Sequence, residues 1–305
     1  MVNILISGYY GFDNIGDESI LRTLVSSLRE HIPDCSLTVL SHNPASTREK
    51  YGVEAVERMS PMAILRAVKQ CDMLISGGGS LLQDVTSSKS LHYYLSIIRC
   101  AEFFHKKVFI YSQGIGPIDR PVNRRAAARA LKRADGIVVR DERSARLLEE
   151  IGIARDKVAI TADPVIRMKK PGSDVGAEIL HKAGVTLDGR LTVGWAIREK
   201  DKDSRFVAEI LRSIRALKEA YNAQSVLIPF HYEEDGEVCR HIANQLSDDT
   251  AVCLNEKYLS EDMLSIIGNM DMLVGVRLHS LIYAAIMGVP LIGISYDPKC
   301  TAFLN

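Results

Sequence analysis

Neither sign of charge is in surplus: 38 Lys and Arg stand against 38 Asp and Glu, a formal net charge of zero. That excludes the general cationic surplus a nucleic-acid binder needs, while leaving room for a local basic patch; no nucleic-acid partner is expected. The six cysteines, at 35, 71, 100, 239, 253 and 300, include no Cys-x-x-Cys pair. A zinc ribbon and a disulfide framework are therefore disfavoured, and reduced packing thiols are expected. No apolar run approaches the ~20 residues of a membrane span. The opening MVNILISGYYGF runs into a strand without the basic segment and long apolar core of a signal peptide. The expectation is a cytoplasmic protein, at most peripheral to the inner face of the cell membrane. No cluster has metal-ligand spacing either. Asp201-Lys202-Asp203 has the look of an Asp-x-Asp metal motif but sits in the charged run Arg198 to Arg205 and reads as a solvated helix start. No metal and no cofactor are expected.

What is present is an alternation of strands and helices. At 305 residues, with 47% hydrophobic and 25% charged content, the chain reads as roughly two ordinary globular domains. Val2 to Ser7 is a β-branched run that opens into Gly8-Tyr9-Tyr10-Gly11-Phe12-Asp13-Asn14-Ile15-Gly16-Asp17-Glu18, and a helical apolar face then ends near His31. Glycines at 8, 11 and 16 are too widely spaced for the dinucleotide fingerprint, and Asp13, Asp17 and Glu18 would repel a pyrophosphate. Carboxylates at a strand's edge suit a hydroxyl-bearing substrate, whose protons they can accept; helix capping is the competing reading for Asp17 and Glu18. The pattern repeats with a strand at 37–40, a helix at 61–70 and a strand at 72–76. Ser76-Gly77-Gly78-Gly79-Ser80-Leu81-Leu82-Gln83-Asp84 follows, its glycines allowing a ligand to approach backbone N–H groups. A helix at 88–104 and a strand at 108–111 lead to Ser112-Gln113-Gly114-Ile115-Gly116-Pro117. A basic helix from Asn123 to Arg133 and a strand at 136–140 then place Arg140 at a strand end, and Asp163 closes a last strand at 158–161.

Lys169-Lys170-Pro171-Gly172-Ser173 is the linker candidate, so the expected domains are 1–170 and 171–305. In the second half Met272 to Gly275 reads as a buried strand, and Leu278, Leu281, Ile282, Ala285 and Ile286 as the face of a helix stopped by Gly288 and Pro290. Arg277 and His279 then fall at the turn between them. A helix N-terminus favours an anion, arginine offers a planar fork of donors, and histidine titrates near neutrality. The stretch reads as an anion site with a proton-handling group. Among the other histidines, His231 follows a strand end and is a weaker candidate. His31, His42, His92, His105, His181 and His241 lie on helices or polar turns without evident partners. The fold class is α/β, two Rossmann-like domains facing a cleft, the GT-B-like glycosyltransferase architecture. Fold alone does not fix function.

GYYGFDNIGDE at 8–18, SGGGSLLQD at 76–84, SQGIGP at 112–117, Arg140 and GVRLHSLIYAAIMGVP at 275–290 resemble, in order and along most of the chain, the polysaccharide pyruvyl transferase family, above all its CsaB-type members. The resemblance implies transfer of the pyruvyl group of phosphoenolpyruvate, as a cyclic ketal, onto an N-acetylmannosamine-containing, lipid-linked precursor of a secondary cell-wall polysaccharide. The finished polymer anchors surface-layer proteins. It also implies that Arg140, Arg277, Leu278, His279 and Lys299 bind phosphoenolpyruvate, the co-substrate, and that a further helix follows Asn305. The second domain is then the donor side and the first the acceptor side. His279 is the candidate acid and Asp13 a candidate base, with Asp13, Asn14, Asp17, Gly78, Gly79 and Gln113 on the acceptor side. A glycosyltransferase using a nucleotide-sugar donor on the same scaffold is the alternative. The basic helix at 124–133 is open to contact with an anionic membrane surface.

Overall fold

The computed structural model describes the chain except for Thr86, Lys200, Asp201, Asp203, Asp248, Tyr296, Asp297 and Asn305, and the side chain of Pro298. Its backbone divides into two compact units, Met1–Phe12 with Asp17–Arg167, and Asp13–Gly16 with Met168–Asn305.

In the first unit the elements run β1 (Val2–Tyr10), α1 (Ile15–His31), β2 (Cys35–Ser41), α2 (Pro44–Tyr51), β3 (Glu54–Glu57), α3 (Pro61–Gln70), β4 (Met73–Ser76), α4 (Ser88–Phe103), β5 (Lys107–Gln113), α5 (Pro121–Leu131), β6 (Gly136–Val139), α6 (Glu142–Glu150) and β7 (Val158–Ile160). The seven strands are parallel in the order β3-β2-β1-β4-β5-β6-β7. β1 lies inside the sheet, its Ile4, Leu5 and Ile6 apolar on both faces and buried. The order reverses between β1 and β4, and ligands of such sheets bind outside the carboxyl ends at that point. α2 and β3 escape the sequence reading because PASTREKY buries only Thr47 and Tyr51, and EAVE is a half-charged edge strand. What starts α2 is local chemistry: the Asn43 side chain accepts from Ser46 N–H, and Pro44 stands where a missing N–H costs nothing.

Asp84 stabilises the entry to α5. Its carboxylate accepts from Asp119 N–H (2.9 Å), Arg120 N–H (3.1 Å) and Asn123 Nδ2 (2.8 Å), and Asn123 Oδ1 in turn meets His92 Nε2 at 3.0 Å. Burial pushes the Asp84 carboxyl up, but these three donated hydrogen bonds outweigh it and hold the group below the ordinary aspartate value. A carboxyl depressed in the folded state contributes stability that is present above its unfolded value of ~3.9 and is lost as pH falls through the lower folded value. Asp84→Ala is expected to cost about 1.5–3 kcal/mol at neutral pH. In acid titrations of unfolding, the gap between variant and wild type is expected to narrow only below pH ~4.

The second unit contains α7 (Ser173–Lys182), β8 (Thr192–Ala196), α8 (Arg205–Tyr221), β9 (Gln224–Leu227), α9 (Tyr232–Ala243), β10 (Ala251–Cys253), α10 (Ser260–Gly268), β11 (Met272–Gly275), α11 (Leu278–Met287), β12 (Leu291–Gly293) and α12 (Pro298–Leu304). Its five parallel strands follow the order β10-β9-β8-β11-β12, so the reversal lies between β8 and β11. Every residue of β8 is buried, and its Trp195 finds a partner for the indole N–H in Ser225 Oγ at 3.0 Å. α7 packs so closely on α10 that a Cβ on Gly176 would collide with the Ser265 carbonyl; the Gly176 N–H donates to Ser265 Oγ at 2.8 Å. Both sheets are of the doubly wound, Rossmann-like kind. Among the described residues no helix is long and apolar enough to cross a membrane.

Candidate active site

In the second unit, β11 delivers Arg277 to the carboxyl edge at the point where strand order reverses. Val276 N–H still pairs with Ala196 O of β8 (2.9 Å), and Arg277 is the N-cap of α11, its carbonyl accepting from Ser280 Oγ at 2.6 Å. The guanidinium is held side-on by one carboxylate: Nε donates to Asp235 Oδ2 at 3.0 Å and Nη2 to Asp235 Oδ1 at 2.5 Å, with Glu234 Oε2 at 3.5 Å. Asp235 is 0% exposed and accepts a third bond from His231 N–H at 2.9 Å. A carboxylate so buried is tolerable only when paired, and Arg277 pairs it bidentately. Asp235 has no place among the residues singled out above. Its signal in the sequence is the acidic first turn Glu233, Glu234 and Asp235 of α9. His231, the weaker histidine candidate, caps that turn, its Nδ1 accepting from Glu234 N–H at 3.2 Å.

His279 stands in the first turn of α11 against the segment Asp13–Gly16, which belongs to this unit. The segment is tied down by its backbone: Ile15 N–H donates to Phe230 O at 2.9 Å and Asn14 bridges to His231. A Cβ on Gly16 would collide with Nδ1 of His279, so the imidazole is packed directly against bare backbone. Gly16→Ala is therefore expected to displace the imidazole. A displacement of ~1 Å can cost up to 10²-fold in rate, which steady-state kinetics beside a thermal melt checks; no left-handed backbone strain is added, because Gly16 does not adopt that conformation. Asp13 is engaged by Lys257, Nζ to Oδ2 at 2.7 Å, and that hydrogen bond holds the Lys257 ammonium above the ordinary lysine value. Lys299 lies in α12, whose Cys300 is buried and directs its thiol to Val276 O at 3.6 Å, linking this helix to the end of β11. Leu278 is buried and packs the start of α11.

In the first unit Arg140 follows β6. Its side chain is 5% exposed, with Nη1 donating to Asp163 Oδ2 at 2.7 Å and Nη2 to Ser80 Oγ at 3.0 Å. It lies across Gly114, where a Cβ would stand 2.9 Å from Nε. The glycines of the Ser76–Ser80 loop likewise receive the chain's own side chains. A Cβ on Gly78 would meet Ile20 at 2.9 Å, and one on Gly79, with φ of +88°, would meet Asp17 Oδ1 at 2.8 Å. Gln113 is 0% exposed and spends its amide N–H groups on Ser76 O (3.0 Å), Ser76 Oγ (2.8 Å) and Gly77 O (2.9 Å), joining the ends of β4 and β5. Glu18 is a buried strut whose carboxylate accepts from Gly11 N–H at 2.8 Å and from the Tyr51 hydroxyl.

Among the described residues no group of three or more His, Cys, Asp or Glu could hold a metal ion. Asp201 and Asp203 of the Asp-Lys-Asp run lie outside the described residues.

The family model described as polysaccharide pyruvyl transferase matches residues 14–298. The chain belongs to this family. The chain is also similar to the amylovoran biosynthesis protein AmsJ of Erwinia amylovora, 22% identical over an alignment that covers 98% of this chain and 84% of that protein. Among solved structures it is similar to HepE of Anabaena in complex with UDP-glucose, with a TM-score of 0.63, 12% identity, and 96% and 80% of the two chains covered. It is also similar to the UDP-GlcNAc 2-epimerase of Methanocaldococcus jannaschii, with a TM-score of 0.65, 14% identity, and 98% and 86% covered. At these identities the two structures speak to the fold alone: a pyruvyl transferase family member built, like them, from two Rossmann-like units.

Proposed function

We propose that this member of the polysaccharide pyruvyl transferase family uses phosphoenolpyruvate as donor and forms a cyclic ketal on a sugar of a lipid-linked cell-wall glycan precursor. The observation that carries the donor half of this reading is the Arg277–His279 turn. A guanidinium locked by Asp235 stands two residues before an imidazole, at the start of a helix whose N-terminal N–H groups favour an anion. Phosphoenolpyruvate carries a phosphate and a carboxylate on one small frame, and a rigid cationic fork at a helix start suits either. Lys299 and Arg140 are assigned to the donor by the family resemblance, as is the glycan of the cell wall.

In the reaction so proposed, the imidazolium of His279 gives a proton to C3 of the enol, and positive charge develops at C2. A sugar hydroxyl attacks C2 and loses its proton. The C2–O bond to phosphate breaks, the phosphate leaving with the bond's electron pair, and a second hydroxyl of the same sugar closes the ketal as its own proton departs. Of the two hydroxyl protons one restores the acid and the other leaves with phosphate. Asp13 is the candidate base for one of them, in the segment on which His279 rests.

The donor assignment is tested by calorimetric titration of phosphoenolpyruvate into the wild type and Arg277→Lys. Lysine keeps the charge but not the fork, so binding is expected to weaken by at least about tenfold, since a hydrogen bond to a charged group contributes ~1.5–3 kcal/mol. Equal affinity in the two proteins, or titration by UDP but not by phosphoenolpyruvate, would overturn the assignment.

A further inference from the structure

The first unit carries a group of aromatic rings that the donor chemistry does not use. Tyr9, Phe12 and His42 stack with their planes nearly parallel at the carboxyl ends of β1 and β2, with centroids 4.0 and 4.4 Å apart and interplanar angles of 5° and 1°. His42, which the sequence leaves on a polar turn without a partner, is the exposed outer ring of this column. Gly11, at φ +81°, turns the chain so tightly against Ser41 that a Cβ there would collide with its hydroxyl, and this brings Phe12 onto His42. Beneath the rings lies Arg58, 6% exposed, its guanidinium carbon 5.1 Å from the Phe12 centroid, 5.7 Å from that of Tyr9 and 4.8 Å from that of Tyr93. It donates to Gly8 O and to the Tyr94 hydroxyl, both at 3.2 Å, and among the described residues it has no carboxylate partner. A desolvated cation is attracted to the ring faces around it, and this holds those rings in place.

We infer that the Tyr9–Phe12–His42 column is a stacking platform for a pyranose ring of the acceptor glycan. A pyranose presents a flat face of C–H groups, while its hydroxyls point outward around the rim. Laid on the outer face of His42, it would remove apolar surface from water on both sides and leave those hydroxyls to solvent or to reaction. Because the column is already rigid, little ordering cost attaches to binding. Its position fits, at the carboxyl edge next to the β1/β4 reversal of the sheet. The inference deepens the acceptor half of the proposed function and rests on it for the choice of a sugar. A nucleobase, which also stacks on aromatic rings, is the competing occupant.

The experiment needs no donor. Methyl glycosides of N-acetylmannosamine, N-acetylglucosamine and glucose, with uridine beside them, are tested by saturation-transfer NMR against the wild type, His42→Ala, His42→Phe and His279→Ala. At least one pyranoside is expected to receive saturation on the C–H protons of one face. Its affinity should fall about fivefold or more in His42→Ala, as loss of a stacking contact of ~1 kcal/mol requires, and should persist in His42→Phe. His279→Ala should bind it as the wild type does, so a failed donor assignment would leave this result standing. Unchanged binding in His42→Ala, binding of uridine but of no pyranoside, or no pyranoside bound by the wild type would each overturn the platform. Thermal melts of the His42 variants, whose side chain is exposed, confirm that the fold is intact.

Discussion

Replacing His279 by alanine is expected to lower turnover by about 10²–10⁴-fold, the usual contribution of a positioned general acid, while acceptor affinity changes little. The imidazole stands in the first turn of α11, and a Cβ on Gly16 would enter the space it fills. Its loss removes the proton source for the enol carbon and leaves the guanidinium of Arg277 and its Asp235 clamp where they are. The test is steady-state kinetics at saturating and limiting donor. A loss confined to the Michaelis constant, with turnover intact, would make His279 a binding residue and move the acid elsewhere. Near wild-type rates on both axes would remove it from the chemistry.

Asp235→Ala is expected to have the largest effect on stability. The change leaves a guanidinium, 14% exposed, without its bidentate partner, and Glu234 at 3.5 Å is a poor substitute. Breaking a buried pair from one side costs roughly 3 kcal/mol or more, which for a unit of this size means a fall of roughly 6–12 °C in Tm. Activity should fall beyond what unfolding explains, because an unclamped fork no longer has one orientation. A double change separates the two effects. Asp235→Leu with Arg277→Met replaces both charges by apolar groups and is expected to recover most of the stability while remaining inactive. If the single Asp235→Ala variant melted with the wild type, the pair would be a surface contact in solution and the clamp would be wrong.

Much of the architecture is legible from short-range patterns. The helix expected over 61–70 is found at Pro61–Gln70, because the Ser60 cap, Pro61 at its first position and the buried pair Ala67 and Val68 are all local signals. The strand before Arg277 and the helix after His279 follow in the same way from an apolar run and a helical apolar face. The edge strand β3 and the polar helix α2 lack such patterns. What surrounds the candidate residues is less legible, because it is assembled from distant parts of the chain. Arg277 meets Asp235 across 42 residues, and Asp13 meets Lys257 across 244. Periodicity carries no information about pairs so far apart. The glycines mislead for a related reason. A Gly-Gly-Gly run suggests open backbone, yet Gly78 and Gly79 are small because Ile20 and Asp17 occupy the space beside them. Gln113 looks like a loop residue and is instead a fully buried strut. His42 looks unsupported until Phe12 is turned onto it.

The central claim, pyruvyl transfer from phosphoenolpyruvate to a glycan, is most directly tested by following inorganic phosphate with purified protein, phosphoenolpyruvate and a lipid-linked N-acetylmannosamine-containing acceptor. The expected result is phosphate release that depends on the acceptor, with one ketal methyl group appearing in the glycan's NMR spectrum for each phosphate released, and with both signals lost in His279→Ala. Acceptor-dependent release of a nucleoside diphosphate from a nucleotide sugar, with phosphoenolpyruvate left intact, would contradict it.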